Sequence, residues 1–184
     1  MPKNYFYILQ SRDGYRIKQF GNSGDVTVAG DYDGDGKTDF AVARPNSQNQ
    51  WEFYIERSSD GNWQVKTLGS TLSDYVVRNA DFDGDGKTDV AVWSGNSQGG
   101  GNGFFSWIRS SDGVRESVKW GYNELLDTPA LGDYDGDGKT DLAIYRISVP
   151  RACDQPSYFW IRGSAMGTKI IRWGSCHGYP SYND

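Results

Sequence analysis

The phrase Gly30-Asp31-Tyr32-Asp33-Gly34-Asp35-Gly36-Lys37-Thr38-Asp39 returns almost unchanged as Ala80-Asp81-Phe82-Asp83-Gly84-Asp85-Gly86-Lys87-Thr88-Asp89. It returns again as Gly132-Asp133-Tyr134-Asp135-Gly136-Asp137-Gly138-Lys139-Thr140-Asp141. The leading aspartates of successive copies stand 50 and 52 residues apart. Self-similarity at such a period marks a solenoid or a propeller-like array. Strand-forming segments flank the copies. Val26-Thr27-Val28-Ala29 precedes the first, and Phe40-Ala41-Val42-Ala43, Val90-Ala91-Val92-Trp93 and Leu142-Ala143-Ile144-Tyr145 follow the three in turn. These runs are apolar at successive positions, the mark of a strand covered on both faces.

Between the aspartate phrases lies a second unit, present four times, at about residues 5–21, 53–69, 105–121 and 158–174. Each copy opens on an aromatic-isoleucine pair: Tyr7-Ile8, Tyr54-Ile55, Trp107-Ile108 and Trp160-Ile161. A turn follows at Asp13-Gly14, Asp60-Gly61, Asp112-Gly113 or Met166-Gly167. Asp-Gly between strand formers is a hairpin signal. The chain therefore reads as plain hairpins alternating with aspartate-loop hairpins, the latter at about residues 26–44, 76–94 and 129–146. At four strands per blade, this predicts an all-β, β-propeller-type array of about three and a half blades, one array over residues 1–184. Gly95–Gly103 reads as an inserted mobile loop.

Each aspartate phrase carries carboxylates at positions 1, 3, 5 and 9 and glycines at 4 and 6. Four carboxylates in nine residues repel one another unless a cation sits among them. Oxygen donors alone select a hard ion, and a flexible shell of six to eight oxygens suits Ca²⁺ better than Mg²⁺. The proposed ligands are Asp31, Asp33, Asp35, the Lys37 carbonyl and Asp39 at site one. Site two takes Asp81, Asp83, Asp85, the Lys87 carbonyl and Asp89. Site three takes Asp133, Asp135, Asp137, the Lys139 carbonyl and Asp141. Three Ca²⁺ ions are thus expected; the alternative is an acidic turn without an ion. An EF-hand would need glutamate at position 12 and helical flanks. Position 12 is Val42, Val92 or Ile144, between strands, so that reading fails.

Composition narrows the classes. Nineteen basic and 24 acidic residues give a net charge of −5. With a pI near 4.9, the balance argues against a nucleic-acid partner, whose phosphates would repel the chain. Mean hydropathy is −0.69, and no apolar run reaches the roughly 18–20 residues of a membrane span, so no membrane insertion is expected. Seven Trp, twelve Tyr and eight Phe are too many aromatics for a disordered segment. Met1-Pro2-Lys3-Asn4 opens no export signal.

Tandem Asp-x-Asp-Gly-Asp-Gly-Lys-Thr-Asp hairpins between aromatic-Ile strands resemble the FG-GAP/VCBS repeat family, related to the head of integrin α-subunits. The resemblance covers roughly residues 4–184. Phe20-Gly21 and Trp120-Gly121 keep the first half of the family's Phe-Gly-Gly-Ala-Pro signature, and Pro129-Ala130 is a remnant of the rest. The resemblance implies a propeller with calcium in hairpin loops, secreted or at the cell surface, recognising glycans or extracellular proteins. Three functional classes stay open. They are a ligand-binding module, a structural or assembly module of a larger secreted enzyme or adhesin, and an enzyme. The non-catalytic binding module is favoured.

Several patterns invite a sharper reading and do not support it. Gly95-Asn96-Ser97-Gln98-Gly99 fits a nucleophile elbow, but Gly100-Gly101-Asn102-Gly103 follows where a helix is required. The single histidine, His177, lies in a Gly/Pro-containing tail. Asp25, Asp74 and Asp127 recur before each loop and read as turn residues. Trp93, Trp107, Trp120, Trp160 and Trp173 occupy repeat columns and read as inter-blade core, whereas Trp51 and Trp63 are expected to be exposed.

The last plain hairpin, turning at Ser164-Ala165-Met166, places Cys153 opposite Cys176 at its open end. That spacing suits a disulfide, with two free thiols as the alternative. Three and a half blades leave exposed edges. Either a longer propeller or a homodimer completing a ring would cover them.

Overall fold

The computed structural model describes residues 2–95, 101–122, 127–147 and 156–175. The Ser97 pattern, His177, both cysteines of the expected disulfide and the tail from Tyr179 fall outside them. The described residues form fourteen strands and no helix. Strands β1 (Lys3–Gln10) and β2 (Gly14–Asn22) make a two-stranded sheet. Three four-stranded antiparallel meanders follow, each with its strands in chain order. The first contains β3 (Val26–Thr27), β4 (Phe40–Pro45), β5 (Gln50–Glu56) and β6 (Trp63–Ser70). The second contains β7 (Asp74–Ala80), β8 (Asp89–Gly95), β9 (Asn102–Ile108) and β10 (Arg115–Tyr122). The third contains β11 (Asp127–Pro129), β12 (Leu142–Arg146), β13 (Pro156–Gly163) and β14 (Gly167–Ser175).

The turns explain why the plain hairpins form. Gly14, Gly61, Gly113 and Gly167 hold φ between 69° and 75°, a region that residues with a Cβ rarely enter. Strands β4 and β8 are apolar on both sides because sheets stack against them from both directions. Val28, Ala41, Ala43, Phe53 and Ile55 of the first meander pack with Val90, Val92 and Ile108 of the second in one buried cluster. The opposite face of the second meander, Ala91, Trp93, Phe105 and Trp107, packs with Leu142 and Ile144 of the third. The β1–β2 hairpin covers the remaining face of the first meander through Phe6 and Phe20 against Phe40.

The aromatic columns divide unevenly. Trp93 and Trp107 are buried, and Trp120 and Trp160 pack at the edge of the same cluster. Trp173, expected in the core, is 60% exposed. It sits on the face of the third meander that no described sheet covers. Trp63 is exposed as expected, but Trp51 packs on the first cluster and donates its Nε1–H to the Asp74 carbonyl. Burial thus follows a residue's place in the stack of sheets rather than its repeat column alone.

Asp25, Asp74 and Asp127 lie at the corners that join one meander to the next. Each carboxylate accepts an amide from the preceding strand end: Asn22, Ser70 and Tyr122 respectively. Asp25 follows the turn at Ser23-Gly24, whereas Asp74 and Asp127, expected as turn residues, are the first residues of β7 and β11. Asp25 and Asp127 also hold ion pairs, with Arg44 and Arg146.

Candidate metal centre

Each aspartate loop joins the first two strands of a meander. The loops share one internal scaffold. The carboxylate of Asp31 accepts the amides of Gly34 at 2.7 Å and Gly36 at 2.9 Å. Asp81 takes Gly84 and Gly86 at 2.7 and 2.9 Å, and Asp133 takes Gly136 and Gly138 at 2.6 and 3.0 Å. The glycines at positions 4 and 6 hold φ of 77° to 86° in all three loops. That left-handed backbone turns the loop back on its first aspartate.

Position 9 is the anchor. Asp39, Asp89 and Asp141 are 0%, 1% and 1% exposed. One oxygen of each accepts the amide at position 2 (Tyr32, Phe82 or Tyr134), at 2.8 Å every time. The other accepts a serine amide from the neighbouring plain hairpin: Ser58 at 2.6 Å, Ser110 at 2.7 Å and Ser164 at 2.8 Å. Burial pushes the Asp89 carboxyl up to about 6, against the pull of the Phe82 and Ser110 amides and with help from the Asp83 charge. Burial also raises Asp39. A buried acid that resists ionisation is one that a neighbouring cation would stabilise.

The plain hairpin supplies a second set of contacts that the aspartate phrase alone does not reveal. Ser59 and Ser111 donate their hydroxyls to Asp33 and Asp83, both at 2.6 Å. Ser58, Ser110 and Ser164 donate theirs to Asp35, Asp85 and Asp137. In the third loop the Ala165 and Met166 amides take the place of the serine hydroxyl, reaching Asp135 at 2.9 and 3.0 Å. The signal was present as the serine that precedes each turn, in Ser58-Ser59-Asp60-Gly61, Ser110-Ser111-Asp112-Gly113 and Ser164.

Three carboxylates converge in each loop, with one oxygen from each lying within 4.8 Å of the others. The groups are Asp31, Asp33 and Asp39; Asp81, Asp83 and Asp85; and Asp133, Asp135 and Asp141. Asp35, Asp89 and Asp137 stand outside their groups. Asp35 and Asp137 instead accept the amides of Lys37 and Lys139 and a serine hydroxyl. The Lys37 amide and the Ser58 hydroxyl hold the Asp35 carboxyl below its ordinary value against slight desolvation. Lys87 likewise donates its amide to Asp85.

The donor set fits a calcium ion on two counts. Ca²⁺–oxygen bonds of about 2.3–2.6 Å allow two ligand oxygens to stand up to roughly 5 Å apart across one ion, the span found here. In addition, Asp135 Oδ1 is buried with no hydrogen-bond partner. A buried carboxylate oxygen without a partner is costly, and this one lies inside a carboxylate group. The three converging carboxylates of each loop would hold the ion, which would supply charge neutralisation and cross-link the two strands of each hairpin.

The fold and these loops define an all-β tandem-repeat protein with one acidic hairpin loop per four-stranded sheet. A family model for the FG-GAP-like repeat matches residues 31–92 and again 81–144. Those matches span more than half of the chain, and the protein belongs to the FG-GAP-like repeat family. No curated protein and no solved structure matches it.

Proposed function

We propose that the chain is a non-catalytic, calcium-stabilised propeller module, secreted or at the cell surface, that recognises glycan or protein ligands. The observation that carries the calcium part is the repeated convergence of three carboxylates in one scaffold, with an orphaned oxygen on Asp135. The propeller part is supported by four-stranded meanders stacked face to face through two buried clusters. Membership of the FG-GAP-like family supports both, and it supports an extracellular setting. Among the described residues, no helix is long and apolar enough to cross a membrane.

Ligand recognition is supported by exposed aromatic and aliphatic side chains. Tyr5, Tyr7, Leu9, Tyr15 and Ile17 are each about half exposed or more. Register places Tyr7 opposite Ile17 and Leu9 opposite Tyr15 on one face of the β1–β2 hairpin. Such a face suits a glycan or protein contact. It also suits a second copy of the chain completing a ring beside the two-stranded sheet.

A glycan array on calcium-loaded protein tests the binding reading. Saturable binding of one glycan class that is lost in EDTA supports it. An array without hits, together with a monomeric mass in light scattering, would favour the structural module within a larger secreted protein.

A further inference from the structure

We infer that the aspartate loops are coupled in series, with Thr88 and Thr140 as positioning residues that set the first ligand of the preceding loop. This inference rests on the calcium reading above.

Thr140 belongs to the third loop but grips the second. Its amide donates to the Asp81 carbonyl at 2.6 Å, and its Oγ1 accepts the Asp81 amide at 2.8 Å. Both backbone groups of the residue at position 1 are therefore held from the next repeat. Thr88 of the second loop makes the corresponding contact with the first, its amide donating to the Asp31 carbonyl at 2.6 Å. The lysine beside each threonine reinforces the seat. A Cβ on Gly34 would come within 2.9 Å of Lys87 Cε, and a Cβ on Gly84 within 2.9 Å of Lys139 Cγ. Each lysine stem thus lies directly over a glycine of the preceding loop.

The grip reaches the ligands because of what Asp81 and Asp31 do inside their own loops. Each holds the amides of the glycines at positions 4 and 6, so its placement shapes the backbone that carries positions 3 and 5. Thr140 itself stands between Lys139 and Asp141, and Thr88 between Lys87 and Asp89, the last two ligand positions of their loops. Closing a loop around an ion fixes its threonine. The fixed threonine then fixes the first ligand next door, so the neighbouring site loses less conformational freedom when it fills.

The two ends of the series differ in the way this predicts. Thr88 and Thr140 are half-buried, but Thr38 is exposed and lines an open cleft of about 710 Å³ beside the β1–β2 hairpin. At the other end, among the described residues, no backbone amide outside a strand donates to the Asp133 carbonyl. Tyr134 is 42% exposed, whereas Tyr32 in the first loop is 8% exposed. Loops one and two are each braced by the threonine of the next repeat, and among the described residues no such threonine reaches loop three.

Calcium calorimetry on the full chain tests the coupling. Three ions should bind with a Hill coefficient above one. Disabling loop three with Asp135→Asn and Asp137→Asn should lower the count to two and weaken loop two by about five-fold or more, the lower end of ordinary coupling. Thr140→Val, which removes the hydroxyl at constant shape, should leave three ions but lower the cooperativity, and Thr140→Ser should restore it. That rescue separates positioning of Asp81 from a general loss of packing. Three independent ions whose constants ignore both changes would overturn the coupling alone. Binding of no ion would overturn the calcium reading and the inference with it.

Discussion

Arg146 meets Asp127 with two parallel bonds, Nε to Oδ1 at 2.7 Å and Nη2 to Oδ2 at 2.8 Å. The Asp127 side chain is fully buried, and its Oδ2 also accepts the Tyr122 amide at 2.6 Å. Arg44 and Asp25 repeat the arrangement 102 residues earlier, both bonds at 2.8 Å. At the middle corner Ser94 stands opposite Asp74, and the Ser73 hydroxyl partners the carboxylate instead.

Removing one member of a buried pair leaves the other uncompensated. Asp127→Ala should therefore cost about 3 kcal/mol. Asp74→Ala strands no cation and should cost about 1–2 kcal/mol, in the range of a lost hydrogen bond. Urea denaturation of both variants in millimolar Ca²⁺ checks the order. Equal losses would show that the arginines add nothing at these corners.

The Asp25 carboxyl also carries a pH dependence. Burial pushes it up, but the Arg44 guanidinium and the Asn22 amide outweigh burial and hold it below its ordinary value. A depressed folded-state value contributes stability above the unfolded carboxylate range, near 3.9, and loses it as pH falls through the folded value. In Arg44→Met the guanidinium is lost and only the Asn22 amide still opposes burial, so the carboxyl rises relative to wild type and this contribution shrinks. The stability gap between wild type and Arg44→Met should narrow between pH 6 and pH 3 in calcium-free buffer. A gap that stays constant in urea midpoints across that range would contradict this assignment.

Calcium should raise the melting temperature. Extracellular calcium modules bind at about 10⁻⁴–10⁻³ M, and a site held at about 100 times its dissociation constant gains about 2.7 kcal/mol. Melts in excess EDTA should fall well below melts in saturating Ca²⁺, and Asp135→Asn should shrink the difference. Superimposable melts with and without chelator would be evidence against bound calcium.

Stacking of the meanders should dominate stability. Phe53 and Phe105 are each 0% exposed, and each lies in one of the two inter-sheet clusters. Phe53→Ala or Phe105→Ala should cost about 3–5 kcal/mol. Trp173→Ala removes a larger side chain that is 60% exposed and should cost far less. Comparable losses in guanidinium unfolding would mean that the outer face of the third meander is covered in solution.

Two loop glycines separate conformation from contact. Gly86 has φ of 82° and open space where a Cβ would stand; Gly84 has φ of 77° and Lys139 in that space. Gly86→Ala should cost about 1–2 kcal/mol from the left-handed backbone alone. Gly84→Ala should cost more, because the Lys139 stem must also move. The two thermal melts, compared at one calcium concentration, decide the matter.

The aspartate phrase, read alone, determined the repeat and the strands on either side of it, but not which three of its four carboxylates converge: position 5 stands apart in loops one and three, and position 9 in loop two. Sequence could do so because the chemistry is local: glycines at positions 4 and 6 fold each loop onto its own first aspartate. The Asp-Gly turns were legible for the same reason, since a positive φ is a property of a single residue. Tertiary structure decided what depends on neighbouring sheets. Trp173 occupies a core column yet is exposed, because no described sheet lies beyond the third meander. Trp51 sits at a strand end yet is covered, because the corner at Asp74 returns over it. The serines that brace the loops and the threonines that reach across to the preceding loop act over roughly 20 to 60 residues of sequence. Their residue types are common on surfaces, so only the stacking of one sheet on the next reveals which aspartate each one holds.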